Sequence, residues 1–458
     1  MTESLLDRIA GIGAAVALID DSTGIETSFA ALADQARDAT ERLRAAGVSA
    51  GDVVKLDGEA GANTLALLLA LQALGTVVAL DTSTVPAERS DKAALARAVW
   101  QLRPETGHRP EAIPPEGDEA PLVAQLREAG HAGLILFSSG TTGRPKAMLH
   151  DLDRLSASYL GGAPRTKPLR LLLFLMFDHI GGINTIFSSL AQGTTLVLPA
   201  ERTPLAVAGA IARHRVQVLP ASPTFLNLML MSGAVEAHDF STLRMITYGT
   251  EPMPEGLLGL LRSRLPRARL LQTFGTSETG IVSTVSQAST SLAMRFDDEA
   301  VEHRIVDGEL WLRSRRRIVG YLNHPMDAFT DDGWFRTGDL VEETPDGFLK
   351  VKGRAKEIIN VGGEKVFPAE VEGVLMASGL VADCKVFGQP NAITGQAVMA
   401  EIVPAPDAVP ADPAALVKAV KAHARERLDP FKVPVRVKIV TDIPYSARFK
   451  KLISREAS

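Results

Sequence analysis

The sequence contains a single cysteine, Cys384, among its 458 residues. One cysteine cannot form an internal disulfide, and it leaves no Cys-x-x-Cys pair for a structural zinc site or a redox motif. A disulfide-stapled secreted scaffold is therefore excluded, and a reducing, cytoplasmic location fits this composition. At roughly 100 to 200 residues per domain, the chain is long enough for several domains with a sizeable core.

The chain also lacks a hydrophobic run long enough to cross a bilayer. Its most apolar stretch, residues 65–80, is interrupted by Gln72, Gly75 and Thr76 and is followed by Asp81. A transmembrane helix needs about 20 predominantly apolar residues, so we interpret this stretch as a core helix followed by a strand. The sequence predicts no membrane span.

An excess of positive charge is missing as well, because 49 Lys and Arg face 54 Asp and Glu, for a formal net charge of −5. Such a balance offers no general attraction to a nucleic-acid backbone, so no nucleic-acid partner is predicted, although a local cationic site is not excluded. The apolar run at residues 10–19 follows Glu3 and Asp7, where a secretion signal needs net positive charge. We therefore expect no export.

The hydrophobic pattern that is present alternates between helix and strand. Residues 29–46 carry apolar side chains at helical spacing, and a glycine-punctuated turn leads to a strand at 53–56. Further short buried strands are predicted at 170–175, 194–198, 216–219 and 244–247, separated by helical segments. This order predicts an α/β fold whose large N-terminal domain has layered, mostly parallel sheets with flanking helices.

The later part of the chain has a different pattern. Residues 301–313 and 347–351 alternate like antiparallel ribbon, which predicts a small β-ribbon or barrel subdomain. A strand at 398–403 and a helix at 413–427 follow, typical of a small α+β domain. We place the domain boundary between 353 and 354, giving domains 1–353 and 354–458. The first then carries a net charge of −8 and the second +3.

The most informative segment is a buried strand, residues 134–137, that opens into Ser138-Ser139-Gly140-Thr141-Thr142-Gly143-Arg144-Pro145-Lys146. Glycines let backbone N–H groups approach a phosphate, hydroxyls add donors, and a lysine supplies a point charge. The composition therefore indicates a polyphosphate-binding loop. It is not a P-loop, because no Gly-Lys-Ser/Thr triplet opens a helix. Without its particular order, such a loop is more often structural than functional.

The order of these nine residues resembles the signature loop of the adenylate-forming superfamily. That superfamily includes acyl- and aryl-CoA synthetases, to which this chain is most similar, as well as peptide-synthetase adenylation domains and luciferases. Other segments resemble its further motifs, in the family's order: Gly249-Thr250-Glu251-Pro252, Thr273-Phe274-Gly275-Thr276-Ser277-Glu278, Thr337-Gly338-Asp339, Gly353-Arg354, and Gly362-Gly363 with Pro368 and Glu370.

The resemblance implies a reaction and the residues that perform it. A carboxylate attacks the α-phosphorus of ATP, so cationic charge must offset the repulsion between two anions. Glu278 would ligate Mg²⁺, and Asp339 would accept hydrogen bonds from the ribose hydroxyls beside Arg354. The residues implied to bind the nucleotide are Ser138, Ser139, Gly140, Thr141, Thr142, Gly143, Lys146, Gly249, Thr250, Glu251, Thr273, Phe274, Gly275, Thr276, Ser277, Asp339 and Arg354.

Near the C-terminus, residues 444–450 resemble the family's Pro-x-x-x-x-Gly-Lys element, which makes Lys450 the implied catalytic lysine of the adenylation step. Phe449 stands where the family has glycine. If that glycine supplies a turn with positive φ, phenylalanine there is strained, or else the loop has another shape. The alternative is a basic tail that is solvated at the surface.

The family performs a second half-reaction after its C-terminal domain rotates, so the small domain is expected to be mobile. Lys356 matches the hinge position. Gly362 and Gly363 match glycines that line the tunnel for the pantetheine thiol, although a simple turn would explain them equally well from sequence alone.

The acid pocket is implied by the segment Asp178-His179-Ile180-Gly181-Gly182, which resembles the Phe-His-x-x-Gly motif of acyl- and aryl-CoA synthetases. His179 would lie at the pocket mouth as a catalytic residue, with Asp178 and Gly182 in the pocket. Asp178 also matches the position where peptide-synthetase domains bind an α-amino group, but the spacing to Gly193 favours the histidine alignment. A lone histidine is more often structural.

The sequence thus predicts a ligase that uses ATP and Mg²⁺ to convert a small-to-medium carboxylic acid to an acyl-adenylate. The acyl group then passes to a thiol, preferably coenzyme A. The alternatives are a stand-alone adenylation enzyme that loads the phosphopantetheine of an acyl-carrier protein or acylates an amine, and a non-catalytic nucleotide-binding relative, which Phe449 and Ala147 would suit. The protein is expected to be a monomer or a homodimer.

Overall fold

The helices of the protein follow its apolar periodicity closely. The computed structural model describes residues 3–114, 117–138, 145–408, 412–446, 449 and 451. Within these ranges the α-helices are α1 (Leu5–Ile12), α2 (Phe29–Ala45), α3 (Ala62–Ala73), α4 (Pro86–Ala96), α5 (Pro121–Glu128), α6 (Leu152–Ala157), α7 (Ile180–Gln192), α8 (Pro204–Arg213), α9 (Pro223–Met231), α10 (Ala234–Ala237), α11 (Glu255–Arg264), α12 (Pro368–Ala377) and α13 (Pro413–Arg425).

The strands are short, and those of the first half are mostly buried on both faces. They are β1 (Val16–Asp20), β2 (Glu26–Ser28), β3 (Val53–Asp57), β4 (Val77–Asp81), β5 (Trp100–Leu102), β6 (Pro110–Ala112), β7 (Gly133–Ser138), β8 (Lys146–Asp151), β9 (Arg170–Leu172), β10 (Thr195–Leu198), β11 (Val218–Ala221), β12 (Met245–Tyr248), β13 (Arg269–Gln272), β14 (Phe274–Thr276), β15 (Gly280–Val282), β16 (Thr284–Ser286), β17 (Ala293–Phe296), β18 (Val301–Val306), β19 (Glu309–Ser314), β20 (Gly320–Tyr321), β21 (Phe335–Glu343), β22 (Leu349–Arg354), β23 (Ile359–Val361), β24 (Glu364–Val366), β25 (Val381–Asn391), β26 (Gly395–Pro404) and β27 (Arg436–Ile439).

Local sequence explains where many helices begin. Proline occupies the first turn of α4, α5, α8, α9, α12 and α13, where its missing N–H costs no hydrogen bond. The side chain of Ser28 caps α2 by accepting from the Ala31 amide at 3.1 Å. Helix α2 therefore begins at Phe29, where the apolar periodicity begins. It ends at Ala45, one residue before the predicted end at residue 46.

Two seven-stranded sheets form the body of the molecule. The first has the order β13-β12-β11-β9-β10-β1-β2 and is parallel from β13 to β1. The second has the order β20-β8-β7-β4-β3-β5-β6 and is parallel from β7 to β5. Helices α2, α3 and α7 bury their apolar faces in one core that both sheets share. Strands β3 and β4 are buried at every position, as expected for parallel strands covered on both faces.

Within the described residues, three smaller sheets complete the fold, and the smallest is the antiparallel pair β14–β15. A six-stranded antiparallel sheet, β16-β17-β22-β21-β19-β18, has its own small core. The last sheet has the order β24-β23-β26-β25, with β27 beside β26. It packs against the body through α11 and α12. These helices can approach closely because Gly256 has no side chain: a Cβ there would lie 2.8 Å from the Ala377 amide nitrogen.

These observations confirm the predicted fold class, with layered and mostly parallel sheets, a small β subdomain and a C-terminal α+β part. The predicted ribbon at 301–313 is the hairpin β18–β19, and the stretch 65–80 is α3 followed by β4. Within the described ranges, none of the helices combines the length and the apolar character needed to cross a membrane. The boundary between 353 and 354 stays a prediction.

Candidate active site

A cleft of about 1340 Å³ lies between the body and the C-terminal sheet. Strands β12 and β13 are parallel neighbours in the first sheet, so the segments that follow them emerge at the same edge. Asp339 on β21 pairs in register with Arg354 at the end of β22. The cleft is lined by these predicted residues: Gly249, Thr250, Glu251, Thr273, Phe274, Gly275, Asp339, Arg354 and Lys356.

Gly249 has no room for a side chain. A Cβ there would lie 2.6 Å from the Oγ1 atom and 2.8 Å from the carbonyl oxygen of Thr273. Real Cβ atoms do not approach backbone so closely, so the two segments can lie side by side in the cleft only because this residue is glycine. Gly275 is similarly confined, since a Cβ would lie 2.7 Å from the Gly280 carbonyl oxygen.

Thr250 and Glu251 continue this turn. Thr250 has φ of 73°, a left-handed conformation that is uncommon for a β-branched residue. The Glu251 carboxylate accepts from the Thr224 amide at 2.7 Å, at the start of α9. Burial raises the pKa of Glu251, and the amide hydrogen bond opposes that effect. Glu251 thus holds the turn against the first turn of a helix.

Asp339 and Arg354, which the resemblance placed near each other, form an ion pair. Asp339 is 6% exposed, and its Oδ1 lies 2.7 Å from the Arg354 Nε. Burial raises the pKa of Asp339 to about 6, although the arginine opposes this shift. The carboxylate is therefore largely ionised at neutral pH. Lys356 lies two residues beyond the pair, exposed, in the short 3₁₀ turn Ala355–Glu357.

The phosphate loop connects two antiparallel neighbours, β7 and β8, whose ends Ser138 and Lys146 pair in register. The Lys146 ammonium lies 5.2 Å from the ring centroid of Tyr321, and the Tyr321 hydroxyl donates to Glu278 Oε1 at 2.9 Å. The tyrosine thus links the loop lysine to the predicted magnesium ligand. The loop residues Ser139, Gly140, Thr141, Thr142 and Gly143 lie outside the described residues.

Glu278 and Ser277 lie in the turn between β14 and β15. The turn is held by Thr276, whose Oγ1 accepts from the Thr279 amide at 3.1 Å. The Glu278 carbonyl accepts from the Ile318 amide at 2.9 Å. These bonds hold the backbone of the turn, so the carboxylate oxygens of Glu278 are not needed for it, and one of them accepts from Tyr321.

The cleft is also lined by Lys451, which belongs to the basic tail that the alternative interpretation of the sequence left solvated at the surface. The Lys451 ammonium lies 2.9 Å from Glu372 Oε2 and 3.7 Å from Asp383 Oδ1, and it also donates to the Cys384 carbonyl. Burial alone would lower the pKa of Lys451, but the two carboxylates outweigh it and raise the pKa. The adjacent Lys450 lies outside the described residues, so its catalytic role stays a prediction.

Phe449 has a positive φ of 54°. Of the two possibilities that the sequence left open, a strained phenylalanine or a loop of another shape, the structure has the strained phenylalanine. Its ring lies 4.9 Å from the ring of Phe225 and 5.4 Å from that of Phe174, centroid to centroid. Both partners are buried in the body. Aromatic packing therefore accompanies a backbone conformation that glycine would adopt without strain.

The predicted acid-pocket residues lie at the start of α7. His179 precedes the helix, and its Nε2 lies 3.9 Å from Oδ1 of the buried Asp178. Gly182 has a structural reason to be glycine, because a Cβ would lie 1.9 Å from the Met176 carbonyl oxygen. It lets α7 pack against the preceding segment, whether or not an acid binds there.

Gly362 and Gly363 form the tight turn between β23 and β24, with φ of 62° and 95°. The described residues place no atom within 4 Å of a Cβ at either position. In this conformation the two glycines are explained by the turn, and their assignment to a thiol tunnel stays a prediction.

Comparisons with known proteins agree with the family resemblance of the sequence. A family model described as AMP-binding enzyme matches residues 7–315, and one described as AMP-binding enzyme C-terminal domain matches residues 370–450. One relative is a Mycobacterium tuberculosis CoA ligase, named for a propanoyl group that carries a methylated dioxo-octahydroindene. It is 34% identical over 331 residues, and the match covers 69% of this chain and 64% of that ligase. A 4-coumarate–CoA ligase-like protein of Oryza sativa is 28% identical, covering 97% of this chain and 84% of the relative.

Solved structures have the same architecture over almost the whole chain. An anthranilate CoA ligase bound to anthranoyl-AMP superposes with a TM-score of 0.82, covering 98% of this chain and 95% of that one at 20% identity, which shows the fold alone. An amide bond synthetase from Marinactinospora thermotolerans gives a TM-score of 0.76 at 25% identity, covering 97% and 96%.

Proposed function

Since this chain belongs to the AMP-binding enzyme family, we propose that it activates a carboxylic acid with ATP and passes the acyl group to coenzyme A. The observation that carries the proposal is the cleft, which gathers motifs separated by more than 100 residues in the sequence around the Asp339–Arg354 pair. The names of the similar ligases support an organic acid as substrate.

In the first half-reaction, a carboxylate oxygen of the acid attacks the α-phosphorus of ATP. The new bond joins that oxygen to phosphorus, the bond to the β-phosphate breaks, and pyrophosphate leaves. In the second, the thiol sulfur attacks the acyl carbon, a thioester forms, AMP leaves, and the thiol loses its proton. Because both steps bring anions together, the protein must supply cationic charge and oriented donors.

The residues of this chain divide that work. Ionised Asp339, held by Arg354, would accept hydrogen bonds from the ribose hydroxyls. Gly249 keeps its turn packed against Thr273, and the adenine would lie beside these two segments. Lys146 would meet the phosphates at the end of β8, and Lys450 would stabilise charge in the adenylation transition state.

A magnesium ion suits the donor set beside the loop. Glu278 offers one carboxylate, and the described part of the chain contains no cluster of three or more histidine, cysteine or acidic side chains that could hold a metal by itself. Mg²⁺ is usually held by one or two carboxylates together with substrate phosphates and waters. When bound, it would neutralise phosphate charge, so we propose that it enters with ATP.

The test is acid-dependent exchange of labelled pyrophosphate into ATP, measured with a broad panel of aliphatic and aromatic acids. We expect exchange with at least one small-to-medium acid, the class that the His179 segment suggests. ATP binding without exchange for any acid would overturn the proposal in favour of a non-catalytic nucleotide-binding protein.

A second measurement identifies the acceptor. With the active acid, AMP release should depend on coenzyme A and yield a thioester. Turnover only with a carrier protein or an amine would keep the adenylation step and refute coenzyme A as the acceptor.

The catalytic lysine has its own test. Lys450→Ala should reduce exchange by at least 100-fold and leave ATP binding nearly unchanged, because the lysine acts in the transition state. Lys418→Ala removes the same charge from an exposed position on α13 and should be neutral. Equal rates in the two variants would refute the role of Lys450.

A further inference from the structure

A second pocket, of about 560 Å³, lies outside the cleft. It is enclosed by α5, β8, α6 and the segment between β19 and β20. Four arginines line it, namely Arg154, Arg315, Arg316 and Arg317, and we call it the arginine pocket. None of its lining residues within the described ranges also lines the cleft.

The charges in this pocket are only partly balanced. The Arg154 guanidinium lies 3.1 Å from Asp151, and Arg316 pairs with Asp298. Arg315 and Arg317 are exposed, and neither has an ion-pair partner within 4.0 Å among the residues that the structure describes. Their charge is offset only at longer range, by Glu299, Glu302, Asp331 and Asp332, which line a neighbouring pocket together with them.

The inner wall of the pocket contains polar atoms that the protein leaves unsatisfied. His150 is 1% exposed, and neither of its ring nitrogens has a hydrogen-bond partner among the described residues. The buried Nε of Arg316 is in the same situation. An unsatisfied buried polar group costs about 1–3 kcal/mol, so such atoms usually have a partner. Burial lowers the pKa of His150 to about 4, so at neutral pH its ring is uncharged and offers one donor and one acceptor.

The arginine pocket adjoins the back of the predicted magnesium site. The amide of Ile318, which lines the pocket, donates to the Glu278 carbonyl at 2.9 Å. A Cβ at Gly280 would lie 3.4 Å from the Cβ of Arg316. Strand β8 joins the two sites directly, because it begins at Lys146 and His150 lies four residues further on.

We propose that the arginine pocket binds the phosphate group of a small molecule, at a site separate from the ATP cleft. Guanidinium groups bind phosphate oxygens in a bidentate way, and His150 and Arg316 supply further donors inside. The volume falls within the usual range for small-molecule sites and exceeds what inorganic phosphate alone would fill. This inference goes beyond the proposed function and does not depend on it.

The test is calorimetric titration of the full-length protein, saturated with ATP so that the cleft is occupied. Inorganic phosphate, pyrophosphate and adenosine 3′,5′-bisphosphate serve as probes at constant ionic strength. We expect at least one probe to bind with a stoichiometry of one, and at least tenfold more weakly to the Arg315→Ala/Arg317→Ala variant. Tight binding of phosphate would identify a free anion as ligand, whereas binding of the bisphosphate alone would identify a nucleotide.

Arg42→Ala/Arg44→Ala is the matched control, since it removes two exposed arginines from α2. Failure of all three probes to bind, equal binding to the pocket variant, or an equal loss in the control would each overturn the proposal. None of these outcomes depends on acid activation.

His150→Phe provides an independent test. The ring nitrogens have no protein partner, so the variant should melt at the same temperature as the wild type or higher without a probe, and bind the probe at least tenfold more weakly. A large drop in melting temperature without a probe, or unchanged affinity, would contradict the role of His150.

Discussion

Replacing Phe449 with alanine should slow adenylation and leave the thiol-transfer step almost unchanged. The ring is the contact through which the segment beside Lys450 packs on the body, against Phe174 and Phe225. Alanine removes the ring and keeps a Cβ at φ of 54°, so the backbone strain stays. The variant therefore isolates the aromatic contact.

The size of the effect follows from the two ring pairs. Each aromatic pair contributes about 0.5–1.5 kcal/mol beyond its buried area, so their loss disfavours the docked arrangement by about 1–3 kcal/mol. That corresponds to a roughly 5- to 150-fold smaller population of this arrangement. Phe449→Gly loses the same contacts but relieves about 1–2 kcal/mol of left-handed strain, so it should be the less damaging change.

The assay separates the two half-reactions. Pyrophosphate exchange reports adenylation, and thioester formation from preformed acyl-adenylate reports transfer. Phe348→Ala is the control, because this half-buried ring contacts Arg295 and not the Phe174–Phe225 pair. Exchange within twofold of wild type, or an equal loss in both half-reactions, would refute the reasoning.

Four further predictions concern the candidate active site. Because the raised pKa of Asp339, about 6, lies above the ordinary value of 3.8, ATP affinity should fall as the pH drops through about 6, and Asp339→Asn should abolish that pH dependence in binding titrations. Between pH 3.8 and about 6, Asp339 holds its proton in the folded state and loses it in the unfolded state. The contribution of Asp339 to the free energy of unfolding therefore decreases as the pH rises through this interval, which denaturant titration can measure. Gly249→Ala should weaken ATP binding at least tenfold, whereas Gly259→Ala on α11, where a Cβ meets no atom within 4 Å, should not. Tyr321→Phe should raise the KM for magnesium–ATP by about tenfold, since the Glu278 carboxylate loses the hydrogen bond that the Tyr321 hydroxyl donates; an unchanged KM would show that Tyr321 does not position the carboxylate.

Elements with a strong local pattern were predictable. Helix α2 and strand β3 follow from their own periodicity and flanking turns, and the structure places both within one residue of the prediction. Weaker patterns were less accurate, since the strand predicted at 170–175 ends at Leu172. A strand ends where its neighbour stops pairing, and the partner is not contained in the local sequence.

The site was predictable only where motifs carried it. The Asp339–Arg354 pair and the turns at Gly249 and Thr273 line one cleft, and their roles toward a nucleotide stay predictions. Tyr321 was missed, because a single tyrosine after a glycine gives no signal until β20 pairs with β8 and places its hydroxyl beside Glu278.

The sequence by itself determined the family and the fold class, because order and spacing of motifs are properties of the chain. The tertiary structure alone decided which groups touch: the aromatic packing of Phe449, the ion pairs of Lys451 with two carboxylates and the arginines gathered around His150. These depend on contacts between residues tens to hundreds of positions apart, and burial, which sets both pKa and hydrogen-bond demand, exists only once those contacts form.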